Sequence, residues 1–165
     1  MSMLQDESMA SVVDEFCEES NRLLDKCEEI LEDFEDNEDP EKLEEFGQTI
    51  DRIMGAAKSL DANTTGVLAE LGKTIGYKSS QCEDKELLEV VGAILFDLVD
   101  VMKRLISNIE AAKEEKAQGL NIDALKTRFV WLADKFKDIE RSSVAINDGK
   151  QSQEDIDQIL KNLGI

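Results

Sequence analysis

Apolar residues recur at intervals of three and four along most of this chain, and that spacing constrains its fold more than any other feature. Between residues 85 and 115, Leu87, Leu88, Val91, Ile94, Leu95, Leu98, Val99, Met102, Leu105, Ile106 and Ile109 fill a wide arc of a helical wheel. A strand would alternate every second residue, and no stretch here does. One proline in 165 residues leaves little to interrupt helices, and the low aromatic content of 5% suits cores of Leu, Ile, Val and Ala. The expected fold class is all-α.

Four further amphipathic segments follow the same logic. A first helix over about 8–36 carries Met9, Val12, Phe16, Leu23, Leu24, Cys27, Ile30, Leu31 and Phe34 on its apolar stripe. It ends in Asp36-Asn37-Glu38-Asp39-Pro40, where Pro40 stands near the first position of the second helix. That helix has Leu43, Phe46, Ile50, Ile53, Ala57 and Leu60 inward. Residues 61–66 break the pattern, and a shorter helix then carries Val67, Leu68, Leu71 and Ile75 and closes at Gly76-Tyr77. After the polar run SSQCED comes the 85–115 helix, read as the central one. A last bundle helix over about 121–141 places Leu125, Phe129, Leu132, Phe136 and Ile139 on one face. Val130 and Trp131 lie off that face, either covering a loop or forming a contact between two copies of the chain, and a homodimer contact is preferred.

The organisation that follows is an antiparallel bundle of four to five helices over residues 8–141 and a small, polar linker over 142–151. A short amphipathic helix over 152–165 completes it. Ser152 and Asp155 begin that last helix in capping-box fashion, and Ile156, Ile159, Leu160 and Leu163 share its apolar face.

Charge narrows the partners. With 19 basic against 38 acidic residues the net charge is -19, which argues against nucleic acid and against anionic membrane surfaces. A basic face on another protein is the natural counterpart. The opening MSMLQDESMAS lacks the charged-then-apolar order of a secretory signal, and the densest apolar stretch, around Ala93–Phe96, is too short to cross a bilayer, so a cytoplasmic location is expected. Cys17, Cys27 and Cys82 have no metal-ligand spacing, and Cys27 falls on an apolar stripe as a buried thiol would. No acidic loop has the order of a calcium-binding hand, and the glycines are too scattered for a phosphate loop. The chain contains no histidine. Serine or cysteine nucleophiles activated by an imidazole base are therefore excluded. Asp51 as a phosphoacceptor would need a strand-end acidic pocket, which this sequence lacks.

On a wheel of the second helix, Glu44, Gln48, Asp51 and Gly55 fall opposite the core stripe, spaced four, three and four as one exposed strip requires. A glycine exposed in a helix interior costs about 1 kcal/mol relative to alanine. Gly55 is explained either by the close approach of another backbone or by a helix stable enough to tolerate it.

Three resemblances meet on these residues. Residues 39–60, DPEKLEEFGQTIDRIMGAAKSL, resemble the phosphohistidine helix of a histidine-phosphotransfer domain, D-P-x-x-L…H-x-x-K-G. In that register Asp51 holds the histidine's place and Met54 the lysine's, while Gly55 is retained. The layout of residues 12–110 looks like the phosphotransfer domain of the chemotaxis kinase CheA, whose second helix presents its histidine to a CheY-like receiver. Without histidine, phosphotransfer is lost and only the docking geometry is implied. The segment Glu44 to Arg52 is similar to the active segment of CheZ, the phosphatase of phosphorylated CheY, with pattern D-x-x-G-Q-x-I-x-R. That resemblance implies that Gln48 orients the attacking water, that Glu44, in place of the usual aspartate, anchors the receiver, and that Arg52 joins the contact. In CheZ the glutamine comes late in the chain, whereas Gln48 comes early. The tail SQEDIDQILKNLGI resembles the receiver-binding C-terminal peptide of CheZ, carried here by Ser152, Gln153, Ile156, Asp157, Ile159, Leu160, Leu163, Gly164 and Ile165. Together these imply a phosphatase of, or alternatively a non-catalytic adaptor for, a CheY-like receiver; a third, blander reading is a helical scaffold whose tail packs on its own bundle. Such a protein would have no cofactor of its own, the Mg2+ belonging to the receiver.

Overall fold

The computed structural model describes residues 2–116, 120–142 and 156–162, with side chains through Asp138 in the fifth helix. Two 3-10 turns, Met3–Gln5 and Glu7–Met9, lead into α1 (Ala10–Asn37). Then come α2 (Glu41–Ser59), α3 (Asn63–Ser80), α4 (Lys85–Ala112) and α5 (Ile122–Ser142). Residues 156–162 form a further short helix, and no strand occurs among the described residues. The protein is all-α. α2 packs between α1 and α3, α4 closes the ring against both α1 and α3, and α5 lies on α4. Tight turns join α1 to α4, so consecutive helices run antiparallel.

One hydrophobic cluster runs through the bundle, with Leu24, Phe46, Leu71, Leu95 and Phe129 among its fully buried members. Removing this hydrocarbon from water drives the assembly. The turns are set by local chemistry. Glu38 adopts a left-handed conformation (φ 50°), and its N–H donates to the Phe34 carbonyl at 2.6 Å to end α1. The Asp39 carboxylate accepts from the Glu41 N–H at 3.0 Å to open α2, and Asp84 accepts from the Leu87 N–H at 3.2 Å to open α4.

The third helix differs from its sequence reading at both ends. It begins at Asn63, inside the stretch read as a break, because its cap comes from far away in the chain. The Glu115 carboxylate, beyond the end of α4, accepts from the N–H groups of Thr64 (3.0 Å) and Thr65 (2.6 Å) and from the Thr65 hydroxyl (2.7 Å). An acid at that helix end also suits the positive pole of the helix dipole. Nor does Gly76-Tyr77 end α3, which continues to Ser80. Gly76 faces α2 instead: a β-carbon there would stand 2.7 Å from the Leu43 carbonyl oxygen.

On α1 the core position is Val13, fully buried, while Val12 is exposed, a rotation of one residue from the expected stripe. On α5 Leu125, Phe129, Leu132 and Phe136 are buried as expected. Val130 is partly buried against the core, and Trp131 is 41% exposed with the Lys135 ammonium 5.4 Å above its ring. All three cysteines are buried free thiols. Burial pushes the Cys27 thiol up to about 12; Cys17 rises to about 11 through burial and, secondarily, the Glu110 carboxylate. The proposed linker beyond Ser142 lies outside the described residues. Among those residues no helix is long and apolar enough to cross a membrane.

Candidate functional site

The candidate site is the outer face of α2. Leu43, Phe46, Ile50, Ile53 and Ala57 anchor the helix in the core. Glu44, Gln48 and Gly55 are exposed, and Asp51 is half-buried. The strip foreseen from spacing therefore exists on the surface.

Two ion pairs edge it. On one side Asp51 Oδ1 meets Lys73 Nζ of α3 at 3.0 Å. On the other, Arg52 Nη2 meets Glu19 Oε1 of α1 at 3.3 Å. Arg22 grips the same Glu19 carboxylate twice, at 2.8 and 2.6 Å, and this guanidinium, helped by Arg52, holds Glu19 below the usual carboxylate range. Arg52 is thus turned to the α1 edge of the strip. Exposed pairs of this kind contribute at most about 1 kcal/mol each, so their effect is chiefly to fix where charge sits. Between these edges, the Gln48 amide and the Glu44 carboxylate engage no side chain or backbone group among the described residues.

Glycines hold α2 close to α3. A β-carbon on Gly47 would stand 3.1 Å from the Tyr77 ring and 3.2 Å from the Lys73 carbonyl oxygen, and one on Gly72 would stand 3.0 Å from Ile50 Cδ1 and 2.7 Å from Leu98 Cδ2. With Gly76 against Leu43, these positions let the two backbones approach and make α2 a stiff support. Gly47 therefore has a packing reason independent of any partner. Gly55 has none: nothing lies within 4 Å of where its β-carbon would be.

The described part of the tail, residues 156–162, lies on the chain's own bundle. Ile156, Ile159 and Leu160 are buried (0%, 3% and 6% exposed) and belong to the same hydrophobic cluster as the bundle. Asp157 Oδ2 lies 3.6 Å from Lys137 Nζ of α5. Three aliphatic side chains at helical spacing gain more from an apolar surface within reach than from water. Gln48 on α2 remains exposed with the tail in this position. Ser152, Gln153, Leu163, Gly164 and Ile165 lie outside the described residues.

Sequence reasoning missed Lys73 and Glu19, the residues that edge the strip. The one available signal was the pair Gly72 and Gly76, whose spacing marks a small-residue face of α3 beside Lys73. Chemically, the face offers a bare carboxamide, a free carboxylate and fixed charges at its borders. Among the described residues no group of three or more His, Cys, Asp or Glu could hold a metal ion. Comparison with known protein families, curated proteins and solved structures finds no match to this chain.

Proposed function

We propose that α2 docks on a phosphorylated CheY-like receiver and that Gln48 promotes hydrolysis of the receiver's aspartyl phosphate. The observation that carries this reading is the outward, unengaged Gln48 amide on a rigid helix, with Glu44, Asp51 and Gly55 on the same strip. In this scheme the Gln48 N–H donates to the water oxygen and its carbonyl accepts a hydrogen bond from the water, whose protons leave with the phosphate, and this directs a lone pair at phosphorus. The water–phosphorus bond forms as the bond from phosphorus to the aspartyl oxygen breaks, leaving a free carboxylate and inorganic phosphate. Positioning and charge stabilisation supply much of the catalysis in phosphoryl transfer, so a chain without histidine can accelerate it. The receiver's own Mg2+ would neutralise the phosphate, and Glu44 would face a basic residue at the receiver's rim. In the cytoplasmic setting this requires, the strongly acidic surface would steer a basic partner.

A second reading, a non-catalytic adaptor that binds or sequesters a receiver, is favoured by one observation. Gly47, half of the Gly-Gln pair, is accounted for by packing on Tyr77. A receiver phosphorylated with acetyl phosphate and then freed of the donor separates the two. Substoichiometric protein should accelerate phosphate release over the receiver alone; binding with an unchanged release rate would leave only the adaptor, and no binding would reject both.

A further inference from the structure

We infer that the terminal helix is a latch: residues 156–162 occupy an apolar site on the chain's own bundle, and the receiver must displace them to use them as a tether. The inference rests on the proposed function for the identity of the competitor, but the latch itself stands on its own observations. The side chains that would grip a receiver groove, Ile156, Ile159 and Leu160, are the ones buried in the bundle. One apolar face of a two-turn helix cannot serve two surfaces at once, so the two contacts exclude each other.

The latch is poised to open. Burying three aliphatic side chains stabilises it, while ordering a short segment that is marginal as an isolated helix opposes it by a comparable amount. The ion pair of Lys137 with Asp157 is partly exposed (37% and 51%), and such a pair by itself shifts an equilibrium by no more than about fivefold. The latch does not cover Gln48, whose side chain is exposed with the tail in place. Closing it therefore withholds the tether and leaves the docking strip open. A receiver held by the released helix stays concentrated near the bundle, because helix and bundle belong to one chain. Receiver affinity then depends on the fraction of chains with an open latch.

Hydrogen–deuterium exchange on the full chain, with and without a beryllofluoride-activated CheY-like receiver, tests this alongside carbodiimide coupling of Lys137 to Asp157. In the free protein, amides of 156–162 should be protected and the Lys137–Asp157 amide cross-link recoverable by mass spectrometry. Saturating receiver should suppress the cross-link. Lys137→Glu, which repels Asp157 and leaves the tail sequence intact, should bind the receiver about threefold more tightly. Unprotected exchange at 156–162 in the free chain overturns the latch whatever the receiver does. A cross-link undiminished at saturating receiver overturns the competition. A receiver that binds neither the wild type nor Lys137→Glu overturns the proposed function, and with it the latch's regulatory role, while leaving the protected packing in place.

Discussion

Asp51 and Lys73 form an ion pair of 3.0 Å between α2 and α3, at the position where the phosphotransfer resemblance would seat a histidine. The carboxylate is thereby fixed at one border of the Gln48 strip. Both partners are partly exposed, so Asp51→Asn should change unfolding free energy by less than about 1 kcal/mol. If the strip docks on a basic receiver rim, the same substitution should weaken receiver binding several-fold, an effect that shrinks as salt is raised. Calorimetric titration at two salt concentrations reads both.

Two glycines on neighbouring helices should respond in opposite ways to alanine. Gly55→Ala places a methyl in open space on an exposed helix, and should stabilise the fold by up to about 1 kcal/mol in urea denaturation. Gly76→Ala drives a methyl to 2.7 Å from the Leu43 carbonyl oxygen and should destabilise by about 1–3 kcal/mol. A Gly55→Ala variant that is more stable yet binds the receiver less well would assign the glycine to partner approach. Unchanged binding would assign it to tolerance.

Glu115 holds the start of α3 from 50 residues away. Glu115→Ala leaves the Thr64 and Thr65 amides without their charged acceptor and should cost about 1–3 kcal/mol, with Glu115→Gln recovering part of it. Amide exchange at residues 63–66 should quicken before that of the rest of the bundle.

The buried Cys27 thiol gives a pH signature. Its folded value, about 12, lies above the ordinary 9.0, so above pH 9 the unfolded chain loses this proton while the folded chain keeps it. Stability from this group is complete below pH 9 and falls as pH rises towards 12, by up to about 1.4 kcal/mol per unit. Cys27→Ala should flatten that part of the urea-midpoint profile. Native protein should likewise react slowly with a thiol reagent at pH 8 and rapidly once unfolded.

The helices were legible because their apolar spacing is a property of each segment alone: the stripes through Leu43, Phe46 and Ile50, or through Leu87, Val91 and Leu98, survive into the structure. What escaped depended on distant residues. Thr64, Thr65 and Gly66 look like helix breakers until Glu115 supplies a cap, and Gly76 looks like a stop until Leu43 is seen against it. The Gln48 strip was visible from spacing, but Lys73 and Glu19 became its borders only once three helices were placed together. The tail's amphipathic face was plain in the sequence, yet an apolar face does not say whether it meets its own bundle or another protein.

The most direct test is a comparison of wild type with Gln48→Ala for receiver affinity and for the turnover rate of receiver aspartyl phosphate. Gln48 is exposed and supports no described contact, so the variant should fold normally and bind within about twofold of wild type, while turnover falls roughly 100-fold for want of an oriented water. A Gln48→Ala protein that releases phosphate as fast as wild type would contradict the account.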